Sequence, residues 1–464
     1  MDLSRLGGNA DVSFARNISD MTRKRRNKAV FSREPVEAEV EGLSHDGRGI
    51  AHINDKVVFI DGALPDERVL FEYVASHRNF DEAKTLKVLA ASSLRVEPRC
   101  PHFGECGGCS LQHLDPDAQI RMKEDILVNQ LARTGKVEAA SLLKPVMAES
   151  WGYRKKARLG VRYVQKKERV LVGFREKHSR YLADMHICEV LDARVGHKLD
   201  ALAGMIRSLH AYQSIAQIEV AIGEQVVALV FRNLVELDRH DRELLVSFAR
   251  QHDYHIYLQP SGPDSIHLLF PETSELTYRL PEYEIELSFQ PTDFTQVNPG
   301  INRKMVSQAI ELLQLNETDR ILDLYCGIGN FTLAMARKAA QVVGVEGDEE
   351  LILRARSNAE RNGISNATFH VNDLSADLTS TSWSQDSYDK ILLDPPRSGA
   401  LEILDLITGL GAGRIVYVSC NPATLARDAG ELVGRYGYKL ETCGVMDMFP
   451  HTAHVESMAL FVKF

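Results

Sequence analysis

From about residue 292 to the C-terminus, strand-like and helix-like segments alternate along the chain. Apolar runs rich in β-branched residues have the length of buried strands, and helical patterns separate them. This alternation predicts an α/β, Rossmann-like domain with a doubly wound parallel sheet, whose sites lie at the carboxyl ends of the strands. The predicted strands are 320–325, 342–346, 368–371, 390–394 and 414–419, with a closing antiparallel pair at 439–447 and 456–462.

A glycine turn follows the first predicted strand. It reads Asp-Leu-Tyr-Cys-Gly-Ile-Gly-Asn over residues 323–330, and its glycines let the backbone pass close to a ligand. Glu346 ends the next strand, where a carboxylate can bind both hydroxyls of a ribose. A lone Gly-x-Gly is often only a tight turn, but Asp373 and Asp394 lie at the ends of the third and fourth strands. The shortened motif favours S-adenosylmethionine over a dinucleotide or ATP, and Asp373 can bond the adenine amino group.

A cysteine and a carboxylate at the end of the domain suit methyl transfer to a pyrimidine carbon. Cys420 follows the fifth strand, where an α/β sheet places its site. Uracil C5 becomes nucleophilic once a thiolate adds at C6, and a base then removes the C5 proton. We expect the helix starting near Thr424 to lower the pKa of the thiol. Glu456, which opens the last strand, is the nearest candidate base, although a surface carboxylate is the plainer interpretation. Cys326 and Cys443 are expected to pack in the core.

The sequence Asp-Pro-Pro-Arg at 394–397 offers an alternative chemistry. It resembles the Asp-Pro-Pro-aromatic motif of amino-group methyltransferases, in which the aromatic ring stacks on the target base. Here Arg397 replaces the ring, and a nucleophilic cysteine would have no use in that chemistry. Cytosine-5 methylation also uses a thiol, but it normally requires an acid at N3, for which no motif is evident. Carbon methylation of uracil is therefore favoured.

Four further cysteines form a candidate metal site. Cys100, Cys106 and Cys109 lie within ten residues, and Cys188 can supply a fourth thiolate. Such a set suits a [4Fe–4S] cluster or zinc, and the spacing alone does not decide between them. The spacing differs from the Cys-x-x-x-Cys-x-x-Cys of radical enzymes, which favours a structural cluster. Seven cysteines in 464 residues do not indicate a secreted disulfide scaffold.

Charge distribution indicates an anionic partner. The net charge is −9, yet residues 1–33 carry eight Lys/Arg against three Asp, and residues 151–180 carry eleven against two Glu. The first segment is expected to be a basic flexible arm, and the second a basic hairpin able to contact phosphates. An ordinary solvated tail and hairpin are the plainer alternatives. No signal peptide or membrane span is evident, so we expect a cytoplasmic protein that does not bind membranes.

The remaining sequence predicts two further domains. Short alternating strands and glycine turns over residues 34–92 predict a five-stranded OB-like barrel. Residues 93–290, with a helix at 118–133, read as a mixed α+β central domain that carries the cysteines and the basic hairpin. Residues 291–464 form the predicted methyltransferase domain.

Together these motifs resemble the bacterial 23S rRNA (uracil-5-)-methyltransferases of the RlmD (RumA) type across essentially the whole chain. The shared signatures, besides the turn at 323–330, are Cys-Pro-His-Phe-Gly-Glu-Cys-Gly-Gly-Cys at 100–109, Trp-Gly-Tyr-Arg at 151–154, Phe-Thr-Gln-Val-Asn at 294–298, Asp-Pro at 394–395, Ser-Cys-Asn at 419–421 and Asp-Met-Phe-Pro-His-Thr at 447–452.

The resemblance implies methylation of C5 of one uridine in 23S rRNA. It implies an N-terminal TRAM barrel, a [4Fe–4S] cluster on Cys100, Cys106, Cys109 and Cys188, Cys420 as nucleophile and Glu456 as base. It also implies that S-adenosylmethionine contacts Gln296, Tyr325, Asn330, Glu346, Asp373 and Asp394. Two positions depart from the family pattern: Tyr325 replaces phenylalanine and keeps the ring, and Asp373 replaces asparagine and can only accept from adenine.

Two rival functions remain. The tRNA uridine-5-methyltransferases share the catalytic domain, but the cysteine cluster and the barrel argue against them. An iron–sulfur protein that binds RNA without modifying it is the other rival, and Cys420 beside a cofactor turn argues against that reading. We expect a monomer without a protein partner, with 23S rRNA as its partner.

Overall fold

The computed structural model describes residues 34–463, and the basic arm predicted over residues 1–33 lies outside the described residues. The strands are β1 Val36–Glu39, β2 Gly42–Leu43, β3 Gly49–Ile53, β4 Lys56–Asp61, β5 Arg68–Ser76, β6 Phe80–Ala90, β7 Ser141–Leu142, β8 Lys156–Val164, β9 Arg169–Gly173, β10 Ile215–Ile222, β11 Val227–Asn233, β12 Tyr254–Leu258, β13 His267–Phe270, β14 Leu276–Leu280, β15 Ile285–Phe289, β16 Arg320–Leu324, β17 Gln341–Glu346, β18 Ala367–Val371, β19 Lys390–Leu393, β20 Arg414–Ser419, β21 Lys439–Met446 and β22 Glu456–Val462.

The α-helices are α1 Pro116–Gln130, α2 Ala193–Gly196, α3 Leu199–Ser208, α4 Arg239–His252, α5 Pro299–Leu313, α6 Thr332–Ala336, α7 Glu349–Arg361, α8 Leu404–Thr408 and α9 Pro422–Gly434. A π-helical turn, Leu131–Gly135, continues α1. Short 3-10 turns lie at Gln165–Lys167, Pro263–Ser265, Pro281–Tyr283, Trp383–Gln385 and Leu401–Ile403. Within residues 34–463, no helix is long and apolar enough to cross a membrane.

The N-terminal sheet closes into the predicted small barrel. Its strand order is β1-β5-β6-β4-β3-β2. β1 and β2 behave as one bent strand, because β1 pairs with β5 and β2 pairs with β3. At the bend, the amide of Val40 donates to Glu67 and that of Glu41 donates to Ile50, over 2.9 and 2.8 Å. Counting the bent strand once gives the five strands that the sequence predicted.

The central region is a mixed sheet with helices on one face. Its strand order is β13-β12-β11-β10-β8-β9, and α3 and α4 pack against it. Residues on its other face, including Ala228 and Val230, share one buried cluster with α5 and the C-terminal sheet. The central sheet therefore packs directly on the C-terminal domain.

The C-terminal sheet has the order β18-β17-β16-β19-β20-β22-β21-β7, and its five strands β16 to β20 run parallel. Chain order reverses between β16 and β19, which is the switch point where doubly wound sheets bind ligands. β7 pairs in parallel with β21, and α1 packs on α9 and β21. Thus α1 and β7, although they lie within the predicted central segment 93–290, pack on this sheet.

Candidate active site

The turn after β16 is held against β17 by its own backbone. The amides of Tyr325 and Cys326 both donate to the carbonyl oxygen of Val345, over 2.9 and 3.1 Å. Tyr325, Gly327 and Gly329 have positive φ angles of 65°, 54° and 93°, a region in which glycine is unstrained and tyrosine is not. A Cβ atom added to Gly327 would have no heavy atom within 4 Å. The turn presents its backbone to open space that a nucleoside can fill.

Glu346, at the end of β17, is fixed by backbone amides. Its Oε2 accepts from Gly327 over 3.2 Å, and its Oε1 accepts from Gly347 and Asp348 over 2.7 and 3.3 Å. These bonds orient the carboxylate beside the glycine turn, and each oxygen keeps capacity for a further bond. The arrangement permits the predicted contact with both hydroxyls of a ribose.

Asn330, at the far end of the turn, belongs to an amide pair that sequence reasoning missed. Its Oδ1 accepts from Asn302 Nδ2 and its Nδ2 donates to Asn302 Oδ1, each over 2.9 Å. The hydroxyl of Tyr278 donates to the same Oδ1 over 3.0 Å. Two separate elements, α5 and β14, therefore orient Asn330. A polar residue at a core-facing position of a helix was the available signal, since Asn302 is buried in α5.

Aspartates at the same edge of the sheet differ in protonation. Burial raises the pKa of Asp323 and of Asp394 to about 7. Asp323 Oδ2 accepts from Thr332 Oγ1 over 2.5 Å, whereas its buried Oδ1 has no hydrogen-bond partner in the described part of the chain. Asp373 is exposed. The hydroxyl and amide of Ser375 donate to its Oδ1 over 2.7 and 2.9 Å, which lowers its pKa. Asp373 is therefore an ionised acceptor.

Gln296 lies half-buried in the loop between β15 and α5. The loop is anchored on both sides. Asp293 forms an ion pair with Arg354 over 2.5 Å, and Asn298 Oδ1 caps α5 by accepting from the amide of Ile301 over 3.3 Å. Between these anchors, the Phe294 ring is 72% exposed. The sequence motif at 294–298 includes this residue, but its exposure on a fixed loop is seen only in the structure.

Strand pairing brings Cys420 and Glu456 to the same end of adjacent strands. β20 and β22 run antiparallel with Ser419 opposite Ser457, so Cys420 and Glu456 each lie one residue beyond this pair on the same side. Thirty-five residues separate the two along the chain. The charges of Glu456 and Asp394 both act on the Cys420 thiol. The fold thus assembles the predicted nucleophile, the predicted base and Asp394 in one place.

Burial is the largest influence on the pKa values of Cys420 and Glu456. It raises the pKa of the Cys420 thiol, and the carboxylates of Glu456 and Asp394 raise it further, whereas Arg397 lowers it. Burial and the charge of Asp394 raise the pKa of Glu456 to about 8, against the opposing charges of Arg397 and Lys123. The thiol pKa is thus raised, not lowered as the helix that begins at Pro422 led us to expect, because burial and the two carboxylates act in the opposite direction.

Arg397 is an exposed cation whose charge acts on both Cys420 and Glu456. Its guanidinium shares a 3.1 Å hydrogen bond with His454 Nδ1, and its carbonyl oxygen accepts from Asn421 Nδ2 and Thr424 Oγ1 over 3.0 and 3.2 Å. These bonds tie the loop after β19 to the start of α9. In the sequence, Arg397 is notable only as the residue that replaces an aromatic ring, and no motif indicates its proximity to Cys420 and Glu456.

The four outlying cysteines lie around one cavity. Cys100, Cys106, Cys109 and Cys188 line one cavity beside Phe174 and Met185. Burial raises the pKa of Cys106 to about 11 and that of Cys109 to about 12, and the neighbouring thiols add to both shifts.

The basic hairpin is formed by β8 and β9, joined by the turn Gln165–Lys167. Arg162 and Lys166 project into solvent. Lys177, in the loop after β9, pairs with Asp61 of the barrel over 3.1 Å. This contact connects the barrel to the segment that carries the hairpin.

Comparison with known proteins agrees with this geometry. The family described as tRNA (Uracil-5-)-methyltransferase matches residues 146–464, and the TRAM domain matches residues 30–70. The 23S rRNA (uracil(1939)-C(5))-methyltransferase RlmD of Alkalilimnicola ehrlichii is 51% identical over 444 residues, which cover 96% of this chain and 99% of the relative. The protein of the same name from Methylococcus capsulatus is 51% identical over 431 residues, covering 93% and 97%.

Among solved structures, the Pyrococcus abyssi tRNA (uracil-54, C5)-methyltransferase in complex with S-adenosyl-L-homocysteine has a TM-score of 0.71 and 25% identity. The match covers 92% of this chain and all of that one. The family match spans more than half of the chain, and the relatives match nearly all of it. The chain therefore belongs to the S-adenosylmethionine-dependent RNA (uracil-5-)-methyltransferases.

Proposed function

We propose that the protein methylates C5 of a single uridine in 23S rRNA, the uridine numbered 1939 in the names of its relatives. The observation that carries this proposal is the placement of Cys420 and Glu456 on paired strands beside the glycine turn. S-adenosylmethionine supplies the methyl group as a sulfonium and leaves as S-adenosylhomocysteine. The residues that we propose to hold it are Gln296, Tyr325, Asn330, Glu346, Asp373 and Asp394.

In this mechanism the Cys420 thiolate adds to C6 of uracil and forms an S–C6 bond, which makes C5 nucleophilic. C5 takes the methyl group, and the electrons of the broken carbon–sulfur bond remain on the donor sulfur. Glu456 accepts the C5 proton. The electron pair left by that proton restores the C5–C6 double bond and expels Cys420 as a thiolate. Arg397, which lowers the pKa of both groups, stabilises their ionised forms.

We propose that Cys100, Cys106, Cys109 and Cys188 hold a [4Fe–4S] cluster. The four thiols line one cavity and act on one another electrostatically, which supports all-thiolate ligation of one metal group. The cluster is structural in this proposal, and loss of iron, labile sulfide and visible absorption on Cys109→Ser is the corresponding test.

The RNA interface in this proposal combines the β8–β9 hairpin, the barrel and Phe294. Exposed cations on the hairpin suit phosphates, and an exposed ring suits stacking on a base that has left its helix. In this proposal, residues 1–33 also contact RNA as a basic arm, and the domains divide near residues 92 and 290. It describes a monomeric cytoplasmic enzyme without a protein partner.

The experiment that tests the proposal uses total RNA from cells that lack this gene. Purified protein and its Cys420→Ala variant are given radiolabelled S-adenosylmethionine, and the label is mapped to nucleoside and RNA species. Label in 5-methyluridine of 23S rRNA, absent with the variant, is the expected result. Label in tRNA would overturn the substrate but not the mechanism. No label from a protein that binds S-adenosylhomocysteine would favour the RNA-binding rival.

A further inference from the structure

The loop between β21 and β22 ends one residue before Glu456, and it is buried along most of its length. Asp447, Met448, Pro450, His451 and Thr452 are all buried. His451 has a φ of 66°, a left-handed conformation that is uncommon for residues other than glycine. Glu456 itself pairs with Met446 of β21, so strand pairing and the contacts of this loop together surround the carboxylate.

The contacts that hold the loop come largely from α1. Lys123, whose side chain is fully buried, donates to Asp447 Oδ1 over 2.6 Å and to the carbonyl oxygen of Phe449 over 3.0 Å. Gln119 Oε1 accepts from the amide of His451 over 2.9 Å. Lys123 thus holds Asp447 and Phe449 in the first half of the loop, and Gln119 holds His451.

The same contacts lead to the cysteine segment. Gln119 Nε2 donates to the carbonyl oxygens of Leu111 and Leu114 over 3.0 and 2.8 Å. The amides of Ser110 and Leu111, which directly follow Cys109, both donate to the carbonyl oxygen of His451 over 2.9 Å. Ser110 Oγ accepts from the amide of Ala453 over 3.1 Å. The segment that directly follows Cys109 is therefore bonded to the loop that leads into Glu456.

We propose that Lys123 and Gln119 are positioning residues for Glu456: α1 and the Cys109–Leu111 segment hold the 447–454 loop so that the carboxylate faces C5 of the Cys420-bound uracil. The inference rests on the proposed function. Loss of either contact lets the loop relax, while the glycine turn and Cys420 stay in place. Proton removal from C5 is then slowed, whereas thiol addition and methyl transfer are not.

The test separates these steps in the full-length holoprotein. An RNA with 5-fluorouridine at the target forms the methylated Cys420 adduct. Its C5 carries fluorine and no proton, so the base has nothing to remove and the adduct persists. This RNA therefore reports thiol addition and methyl transfer, the steps before Glu456 acts. An ordinary uridine RNA reports release, because a slow base leaves methyl-labelled RNA attached to the protein on a denaturing gel. Variants Lys123→Met and Gln119→Leu are compared with Arg121→Met, a matched change at an exposed position of α1.

With uridine RNA, we expect both variants to slow release about tenfold to hundredfold and to accumulate labelled adduct, as displacement of a catalytic group by about 1 Å does. Their affinity for S-adenosylhomocysteine and their rate of adduct formation with fluorouridine RNA should match the wild type, as should Arg121→Met in every assay. Gln119→Leu changes no charge. It therefore tests whether loss of an α1 contact slows proton removal even where Lys123→Met fails to fold.

Release at the wild-type rate in Gln119→Leu would overturn the inference. So would a parallel loss of cofactor affinity and adduct formation, which would indicate a general structural role. Failure of the proposed function is distinguishable from both outcomes, because the wild-type protein itself would then form no adduct with fluorouridine RNA.

Discussion

Replacement of Glu456 by glutamine should stabilise the folded protein while it stops turnover. Burial raises the pKa of this carboxyl from its ordinary value of 4.5 to about 8, so the folded state holds a proton that the unfolded chain releases between these pH values. Stability is therefore lost as pH rises from about 4.5 to 8. At 1.36 kcal/mol per pKa unit, the loss is about 3 kcal/mol at pH 7 and under about 1 kcal/mol at pH 5. Glu456→Gln abolishes this loss.

The assay is calorimetric melting of both proteins at pH 5 and pH 7. A gain of about 3 kcal/mol in a domain of this size corresponds to a rise in Tm of roughly 6–12 °C at pH 7, with little difference at pH 5. Glu441→Gln, at an exposed position of β21, should show no such dependence on pH. A Tm difference that is the same at both pH values, or one that grows toward pH 5, would refute the argument that burial sets this pKa.

Three further outcomes are expected. Asn302→Ala should weaken binding of S-adenosylhomocysteine about tenfold, measured by calorimetric titration, because it breaks the amide pair that orients Asn330. Changing both Arg162 and Lys166 to glutamine should weaken RNA binding and reduce the slope of log affinity against log salt by about 1 to 2, measured by filter binding. The rate of release of methylated RNA in single turnovers should rise about tenfold from pH 7 to pH 8.5 and then level off, because Glu456 acts only when deprotonated, with a pKa of about 8.

The layout of the fold was predictable because local pattern and sheet position agree in this chain. Parallel strands buried on both faces read as continuous apolar runs, so β20 begins and ends where the sequence placed it and β22 does likewise. The participation of α1 and β7 in the C-terminal sheet was not predictable. β7 has two residues, and its pairing with β21 joins positions about 300 residues apart, which no local pattern encodes.

The site shows the same division between what spacing encodes and what packing decides. Residue types and strand ends located Cys420, Glu456 and the glycine turn, because parallel strands bring their carboxyl ends to one edge. The pKa of each group follows from desolvation, which depends on every element that covers the site. A helix N-terminus lowers the pKa of an exposed thiol, but at Cys420 the buried surroundings and two nearby carboxylates act more strongly in the opposite direction. At Glu456, the charges of Arg397 and the buried Lys123 limit the rise in pKa. Lys123 belongs to α1, more than 300 residues from Glu456 in sequence. The reactivity of the pair is thus set by how the α1 region closes over the C-terminal sheet, and we expect substitutions in that region to change the chemistry without touching RNA or cofactor.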